Sequence, residues 1–382
     1  MIEFDQRLRE IRGLAADAAA DLRERALAVD GAPGDMERHF DSPSFRLIRT
    51  MNTPLRFRPA ADRSEPSFDP RNHCLETVVS TLELARGDAG MILACPGPGL
   101  AGVIVDLLGS DEQCERFYRR LADGRTYSFF AMTEAERGND ATAMETRLDR
   151  DGDGYLLHGG KRYIGNAVRG GVGVVFARTG KSPLSIRALL VEHPGGPGWQ
   201  ASALEMIGLR GARLSELTFT GVPLGEESIL GRHLPVTRRG IWGAVKTFNA
   251  MRVQIAALAV GTSLAMVEYV RDHGTGKPGR DGSDLVLAKA KAAQHMVYEA
   301  AARIDRDPER GYLSSAAKLA ANRLAMETAR WAARALGPAG LVEHPLLEKW
   351  TRDVRAFEFM EGTANIQRLH VEKGYRTGDA DV

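Results

Sequence analysis

The sequence predicts a mainly helical α+β protein with an N-terminal α-helical domain (1–120), a central β domain (121–232) and a C-terminal helix bundle (233–382). Its 382 residues exceed the roughly 250–300 at which single cores stop growing, which indicates two or three domains. Apolar residues have helical spacing at both ends of the chain, whereas short apolar runs alternate with Gly and Pro in the middle.

The N-terminal third is predicted to be helical. Residues 1–30 are rich in Ala, Leu, Arg and Glu, whereas six prolines between positions 31 and 70 exclude long helices there. Apolar residues at 75–82 follow the i, i+3, i+4, i+7 spacing of an amphipathic helix. Further helices are predicted over 99–108 and from Ser110, which is followed by the acidic residues that suit a first helical turn.

The middle third is predicted to be a compact β domain. An aromatic, apolar run begins at Tyr127, and the Asp-Gly-Asp-Gly sequence at 151–154 is a hairpin turn signal. Short apolar runs at 172–177, 186–191 and 216–220 lie between turn residues, as strands do.

The C-terminal third is predicted to be a helix bundle. Near-helical apolar spacing extends from Ile241 to Val270, and Ala-rich stretches follow at 285–304 and 313–336. A last helical segment is predicted from 345 to 359.

The composition excludes several classes of protein. Lys and Arg number 51 against 50 Asp and Glu, so the chain lacks the basic surplus of a nucleic-acid-binding protein. The three cysteines Cys74, Cys95 and Cys114 form no CxxC pair, so neither a disulfide framework nor a metal site is expected. The charged N-terminus and the lack of an apolar run of ~18 residues predict a cytoplasmic protein with no membrane partner.

Several stretches, taken in order, are similar to the motifs of one enzyme family. They are Glu83–Asp88 (ELARGD), Met132–Asp140 (MTEAERGND, similar to TEPxxGSD), Gly160–Asn166 (GKRYIGN), Ile207–Arg213 (IGLRGAR) leading to Phe219–Pro223 (FTGVP), and Arg352-Asp353 with Phe359–Arg368 (FMEGTANIQR, similar to YEGTxxIQR). One such motif is weak, but the ordered set covers nearly the whole chain and resembles the acyl-CoA dehydrogenase family of flavoproteins.

The resemblance implies an architecture, a cofactor and partners. It implies an α-helical domain, a central β domain and a C-terminal four-helix bundle, with FAD bound at a subunit interface of a homodimer or homotetramer. It also implies a dehydrogenase whose substrate is an acyl thioester on CoA or on an acyl carrier protein. The expected electron acceptor is a protein such as an electron-transfer flavoprotein.

The resemblance implies that Glu361 takes the α-proton of the acyl group while flavin N5 takes the β-hydride. Such a base needs a raised pKa, which burial supplies, and donors on the thioester oxygen must stabilise the enolate character of the acyl group. Some relatives carry the base at the position of Met251, which cannot accept a proton. Arg252 matches an arginine near the catalytic carboxylate, and Asn139 and Gly362 match substrate-binding positions.

The resemblance also implies a set of flavin contacts. Phe130, Met132 and Thr133 match a strand end against the flavin ring, and Tyr163 stands where the family usually has Trp. Gly165 stands where a Thr or Ser often bonds flavin N5, so this hydroxyl is missing.

The positions for the FAD diphosphate depart most from the family. The run His273-Gly-Thr275-Gly276 aligns with the family pattern R-x-T/Q-F, so Thr275 is retained while the Arg and the Phe are both missing. Arg334 replaces a family Gln. We expect Arg334 to restore positive charge near the diphosphate, with a solvated helix arginine as the alternative. Thr363 and Asn365 match positions near the ADP part of FAD.

Other interpretations stay open from the sequence. The chain is also compatible with an acyl-thioester oxidase on the same fold, which passes electrons to oxygen, or with a non-catalytic binding or assembly member. The basic cluster at 116–120, together with Arg232, Arg238, Arg239 and Lys246, is a candidate surface for CoA phosphates or an acidic carrier protein. A solvated face is the alternative.

Overall fold

A computed structural model of the chain describes residues 2–69, 71–192, 194–274 and 282–377, apart from the side chains at 242 and 244–246. The N-terminal helices are α1 (Gln6–Gly31), α2 (Pro43–Asn52), α3 (His73–Ala94), α4 (Gly99–Leu108) and α5 (Asp111–Leu121). The strands are β1 (Tyr127–Ala131), β2 (Arg147–Asp151), β3 (Gly154–Ile164), β4 (Gly170–Arg178), β5 (Ile186–Val191), β6 (Trp199–Ala203) and β7 (Ser215–Leu224). The C-terminal helices are α6 (Gly240–His273), α7 (Ser283–Arg306), α8 (Tyr312–Ala335), α9 (Gly340–Glu343), α10 (Pro345–Asp353) and α11 (Ala364–Arg376).

The N-terminal helices begin where local chemistry favours a helix start. Pro43 opens α2 at its first turn, where the missing N–H has no intrahelical partner to lose. Ser110 caps α5: its hydroxyl accepts from the Gln113 N–H at 3.3 Å, and the Gln113 side chain accepts from the Ser110 N–H at 3.0 Å. The helix predicted from Ser110 therefore begins with a reciprocal capping box.

The strands form one sheet in the order β1-β4-β2-β3-β7-β6, with β5 paired to β4. β2 and β3 form the hairpin predicted at 151–154, and Gly152 in its turn has the left-handed φ of 53° that favours glycine. β1 pairs with β4 in parallel, so the polypeptide leaves the sheet at Ala131 and returns through the hairpin. β6 was not predicted because its residues are half-buried or exposed and carry little apolar signal.

The C-terminal helices surround α6, whose apolar residues form the main core with α3, α7, α8 and α10. The stretch Thr247–His273 of α6 is long and apolar enough to cross a membrane, and 83% of its apolar window is buried in the protein. A helix that is apolar on all sides and surrounded by other helices is the central helix of a bundle.

A buried ionic cluster joins helices from both ends of the chain to the β domain. α3 is kinked at Asp88, and the Asp88 carboxylate accepts from Lys349 Nζ of α10 at 2.7 Å. Lys349 also donates to Asp353 at 2.6 Å, and Asp353 in turn accepts from the backbone N–H of Leu209, also at 2.6 Å. Asp88 and Asp353 both belong to the family-like motifs, and their carboxylates fix the three parts of the chain against one another.

The helix predicted over 345–359 is wrong at its C-terminal end. α10 stops at Asp353, a short 3-10 turn covers Ala356–Glu358, and α11, which the sequence analysis does not predict, begins at Ala364. The backbone remains right-handed at Val354, Arg355 and Phe359 but forms turns instead of a continuous α-helix. Glu361 and Gly362, with φ values of 52° and 93° that no helix accommodates, then separate this segment from α11.

Candidate active site

The loop that carries Glu361 is strained and held in place by side chains. Gln367 Nε2 donates to the carbonyl oxygens of Glu361 and Gly362, both at 3.0 Å. Lys318 Nζ of α8 donates to the Gly362 carbonyl at 2.6 Å, and Asn322, one turn later, donates to the Phe357 carbonyl at 3.0 Å. Left-handed backbone at a non-glycine residue persists only where the surroundings fix it, and such residues cluster at functional sites.

Glu361 is half-buried, and its carboxylate is within electrostatic range of two cations. Burial raises its pKa above the ordinary value, and the charges of Arg252 and Lys318 act in the opposite direction. A carboxylate with a raised pKa is suited to accept a proton near neutral pH. Met251, at the alternative position for the base, is buried in α6 and has no titratable group.

Arg252 and Glu361 affect each other's pKa through their charges. Burial lowers the pKa of Arg252 to about 10, and the nearby Glu361 carboxylate raises it. Its Nη1 donates to Asn249 Oδ1 at 2.7 Å, while its Nε is buried with no hydrogen-bond partner. The guanidinium therefore retains an unused donor near the base, as a charge-tuning residue requires.

Sequence reasoning missed Lys318. Its side chain is 0% exposed, and burial lowers its pKa to about 8, opposed by Glu358 and Glu361. The available signal was the position of the lysine on the buried face of α8, in register with Ser314, Ala321 and Ala325. A lysine on an apolar helical stripe is an exception to the usual exposure of lysine.

The strand end predicted to contact flavin is fixed by a second buried lysine. Lys161 Nζ donates to the Met132 carbonyl at 3.0 Å and to Glu134 Oε1 at 2.9 Å. The Glu134 carboxylate also accepts from the N–H groups of Glu145 and Thr146 at 2.7 and 2.9 Å. The segment after β1 therefore has little freedom, although neither Lys161 nor Glu134 was assigned a role from the sequence.

The side chains around this strand end fit a flavin. The Arg162 N–H donates to the Thr133 carbonyl at 2.9 Å, which places Tyr163 next to the strand end. Tyr163 has a left-handed φ of 63° and its side chain is 55% exposed. Phe130 and Gly165 are half-buried. The Arg162 guanidinium lies 5.5 Å from the centroid of the Tyr163 ring, and more than half of the residue stays exposed. A partly exposed aromatic ring on a fixed backbone suits stacking with a planar ring system.

The start of α11 brings a second group of predicted residues together. Thr363 stands at the N-cap of α11, and its hydroxyl donates to Asn139 Oδ1 at 3.5 Å, which links the Glu361 loop to the Met132–Asp140 motif. Asn365 is exposed in the first turn and accepts from Arg368 at 3.0 Å. N–H groups at a helix N-terminus favour anions, and here the Ala364 N–H donates to the Glu358 carboxylate at 2.8 Å.

The predicted diphosphate residues lie apart from this group. His273 is exposed at the end of α6, where its ring stacks on Tyr269 at 4.0 Å, and Arg334 is exposed in the last turn of α8. Within the described ranges, no hydrogen bond or ion pair links either side chain to the Glu361 loop. Thr275 lies outside the described residues.

Three arginines of the basic cluster predicted as a docking surface form ion pairs within the chain, and the side chain of Lys246 lies outside the described residues. Arg116 lies 3.3 Å from Glu192, Arg119 lies 2.6 Å from Glu115, and Arg232 lies 2.5 Å from Glu226. Paired arginines have less charge to offer a ligand, which favours the solvated-face interpretation of these three side chains.

Comparison with known proteins identifies the family. The model of the "Acyl-CoA dehydrogenase, middle domain" matches residues 129–222, and that of the "Acyl-CoA dehydrogenase, C-terminal domain" matches residues 238–375. A probable acyl-CoA dehydrogenase, FadE25 of Mycobacterium tuberculosis, is 32% identical over 310 residues, covering 77% of this chain and 78% of the relative.

Solved structures show the same fold. The prolyl acyl carrier protein oxidase AnaB superposes with a TM-score of 0.81 at 22% identity, over 98% of this chain and 100% of that one. A glutaryl-CoA dehydrogenase of Mycobacterium smegmatis in complex with FADH2 superposes with a TM-score of 0.77 at 21% identity, over 99% and 96% of the two chains.

These matches confirm the predicted fold class, the assignment to an oxidoreductase family and FAD as the cofactor of that family. Acyl-CoA substrates and association with electron-transferring flavoproteins are found among its members. The two family models together match more than half of the sequence, and the motifs and the element order agree with them. The chain therefore belongs to the acyl-CoA dehydrogenase family.

Proposed function

We propose that this protein removes two hydrogens from an acyl thioester, with Glu361 accepting the α-proton of the acyl group. The observation that supports this role best is the combination at Glu361 of left-handed backbone, a pKa raised by burial, and two cations within electrostatic range. Bound FAD supplies the acceptor for the β-hydride. The N–H of Glu361 is proposed as a donor to the thioester oxygen, whose developing charge such donors stabilise.

Two groups of residues are proposed to hold FAD. Met132 and Thr133, with Phe130 beside them and Tyr163 on the adjoining strand, would contact the flavin ring. Gly165 provides no hydroxyl for N5. The other group is Thr363 and Asn365 at the start of α11, which would lie near the ADP part of FAD.

The substrate is proposed to enter along the Met132–Asp140 motif. A cavity of about 400 Å³ is lined by residues 135–140 and Ala143. It includes Asn139, whose amide meets the Thr363 hydroxyl next to the Glu361 loop. This position suits the polar arm that carries an acyl group, whether on CoA or on a carrier protein. An electron-transfer flavoprotein as acceptor, a homodimer or homotetramer and a cytoplasmic location are part of the same proposal.

A second candidate is oxidation of a carrier-bound acyl group with oxygen as the acceptor. It is supported by the similarity to a prolyl acyl carrier protein oxidase over nearly the full length of both chains. Glu361 would have the same role in that reaction, because only the fate of the electrons differs.

The test uses FAD-loaded protein and a panel of acyl-CoA and acyl-carrier-protein thioesters mixed without oxygen. The expected result is loss of flavin absorbance with at least one thioester, and a product two hydrogens lighter by mass spectrometry. Admitting oxygen then separates the candidates, since only an oxidase recovers its flavin absorbance rapidly without another acceptor. FAD-loaded protein that keeps its flavin oxidised with every thioester would contradict the proposal.

A further inference from the structure

Lys318 is a fully buried lysine whose hydrogen-bond acceptors are backbone carbonyls. Its side chain is 0% exposed, and among the described residues it forms no ion pair with a carboxylate. Its Nζ instead donates to the backbone carbonyls of Gly362 at 2.6 Å and of Glu358 at 3.5 Å. Burying an ammonium without an adjacent carboxylate is expensive, so a neutral donor would hold this backbone at lower cost.

The same helix shows that a neutral donor is sufficient for the hydrogen bond alone. Asn322, one turn after Lys318 on α8, uses its amide to hold the Phe357 carbonyl of the same loop at 3.0 Å. Gln367 supplies a second neutral donor to the Gly362 carbonyl at 3.0 Å. The hydrogen bond therefore does not explain the ammonium of Lys318, whereas the negative charges of Glu358 and Glu361, which both raise the pKa of Lys318 against the effect of burial, do.

We propose that Lys318 is a positioning residue for Glu361, one that holds the left-handed turn from behind and places a fixed positive charge beside the carboxylate. The inference rests on the proposed role of Glu361 as the base. The carbonyl bond limits where the Glu361 backbone lies, and the charge keeps the carboxylate ionised, and so able to accept a proton, at a lower pH than burial alone would allow.

The other charged groups around Glu361 leave this task to two cations. Arg252 of α6 is one and Lys318 of α8 is the other. Glu358 uses its carboxylate to accept from the Ala364 N–H at 2.8 Å, at the start of α11. His370 of α11 has its pKa lowered to about 4 by burial and by the charge of Arg252, so it is neutral near pH 7 and adds no charge.

The test compares Lys318→Met with Asn322→Ala in FAD-loaded, full-length protein labelled with ¹³C at glutamate side-chain carboxyls. Methionine keeps the apolar stem, and Gly362 keeps its bond from Gln367, so the loop should stay folded. The Glu361 resonance is assigned by its disappearance in Glu361→Gln and is followed with pH. Its titration midpoint is expected to move to higher pH in Lys318→Met and to stay at the wild-type value in Asn322→Ala.

An unchanged titration midpoint in Lys318→Met would overturn the proposal. An equal shift in Asn322→Ala would also overturn it, because the shift would then come from disturbing the loop and not from removing the charge. Should the methionine variant fail to fold, Lys318→Gln retains a polar donor but loses the charge. Its titration midpoint is also expected at higher pH, and an unchanged midpoint would overturn the proposal. This measurement needs no substrate. It therefore fails independently of the proposed function, which is tested by flavin reduction.

Discussion

The turn at Glu361 and Gly362 places backbone strain at the one residue proposed to move a proton. Gly362 has a φ of 93°, and a Cβ added there would lie 2.9 Å from Gln367 Nε2. The proposed base therefore depends on a neighbour with no side chain. The motif identified Glu361 from the sequence because its residues are contiguous. It could not identify Lys318, whose relation to Glu361 exists only after α8 packs against the loop.

Gly362→Ala is expected to destabilise the protein by about 1–2 kcal/mol, the cost of left-handed backbone for a residue with a Cβ. The extra methyl must also displace the Gln367 amide, which holds the Glu361 loop, so the rate of FAD-dependent turnover should also fall. Chemical denaturation measures the first effect. Gly34→Ala is the matched control, because a Cβ there meets nothing within 4 Å and no left-handed φ is required. Equal stability of both variants would contradict the strain at Gly362.

The pH dependence of flavin reduction follows from the raised pKa of Glu361. A protonated carboxyl cannot accept the α-proton, so the rate should fall as the pH is lowered through that pKa. The acid limb is expected at a higher pH than the value of about 4.3 typical of a free glutamate. Anaerobic rapid mixing over a pH series measures it. A rate that is constant down to the ordinary glutamate range would show that Glu361 is not the titrating base.

At the scale of elements, a buried ion pair between Lys161 and Glu134 holds the segment that follows β1. The Lys161–Glu134 contact at 2.9 Å fixes the residues that follow Ala131, the last residue of β1. The sequence predicted β1 and the hairpin because an aromatic, apolar run and turn residues are local signals. It missed β6 and α11, since a half-exposed strand and a helix after a left-handed turn lack such signals.

Lys161→Met is expected to lower stability by about 3–5 kcal/mol, because it leaves the Glu134 carboxylate buried without its cation. FAD retention should fall as well, since Met132 loses the donor to its carbonyl. Thermal unfolding and flavin fluorescence on release measure the two effects. The double variant with Glu134→Gln should recover part of the stability, and a double variant no more stable than the single one would contradict the pairing argument.

At the scale of the whole molecule, a few buried groups hold the helical ends and the β domain in one arrangement. Asp88, Lys349 and Asp353 join α3, α10 and the turn before β7. The helix–sheet–helix order was predictable from the spacing of apolar residues and of Gly and Pro along the chain. The family-like motifs contain both aspartates. Their meeting at one lysine was not predictable, because it joins positions more than 250 residues apart, as in the 261-residue separation of Asp88 and Lys349.

Asp353→Asn is expected to destabilise the protein far more than Glu348→Gln. Both carboxylates form an i, i+4 pair on α10, but Asp353 and Lys349 are almost completely buried, whereas Glu348 is 39% exposed. Breaking a buried pair costs about 3–5 kcal/mol. Because Lys349 keeps its pair with Asp88 in Asp353→Asn, the loss should lie at or below the lower end of that range. A more exposed pair contributes about 0–1 kcal/mol. Thermal unfolding of the two variants provides the comparison. Equal shifts in melting temperature would show that the buried cluster is not what joins the three parts.

The role of Glu361 as the base is tested most directly by flavin reduction in Glu361→Gln, measured by anaerobic rapid mixing with a thioester that reduces the wild-type flavin. Glutamine keeps the size of the side chain but cannot accept the α-proton. Reduction should therefore slow by about 10²–10⁴-fold while FAD stays bound. Glu358→Gln, three residues earlier in the same loop, retains an oxygen to accept from Ala364 and should reduce its flavin at close to the wild-type rate. Wild-type reduction by Glu361→Gln would contradict the assignment of Glu361 as the base.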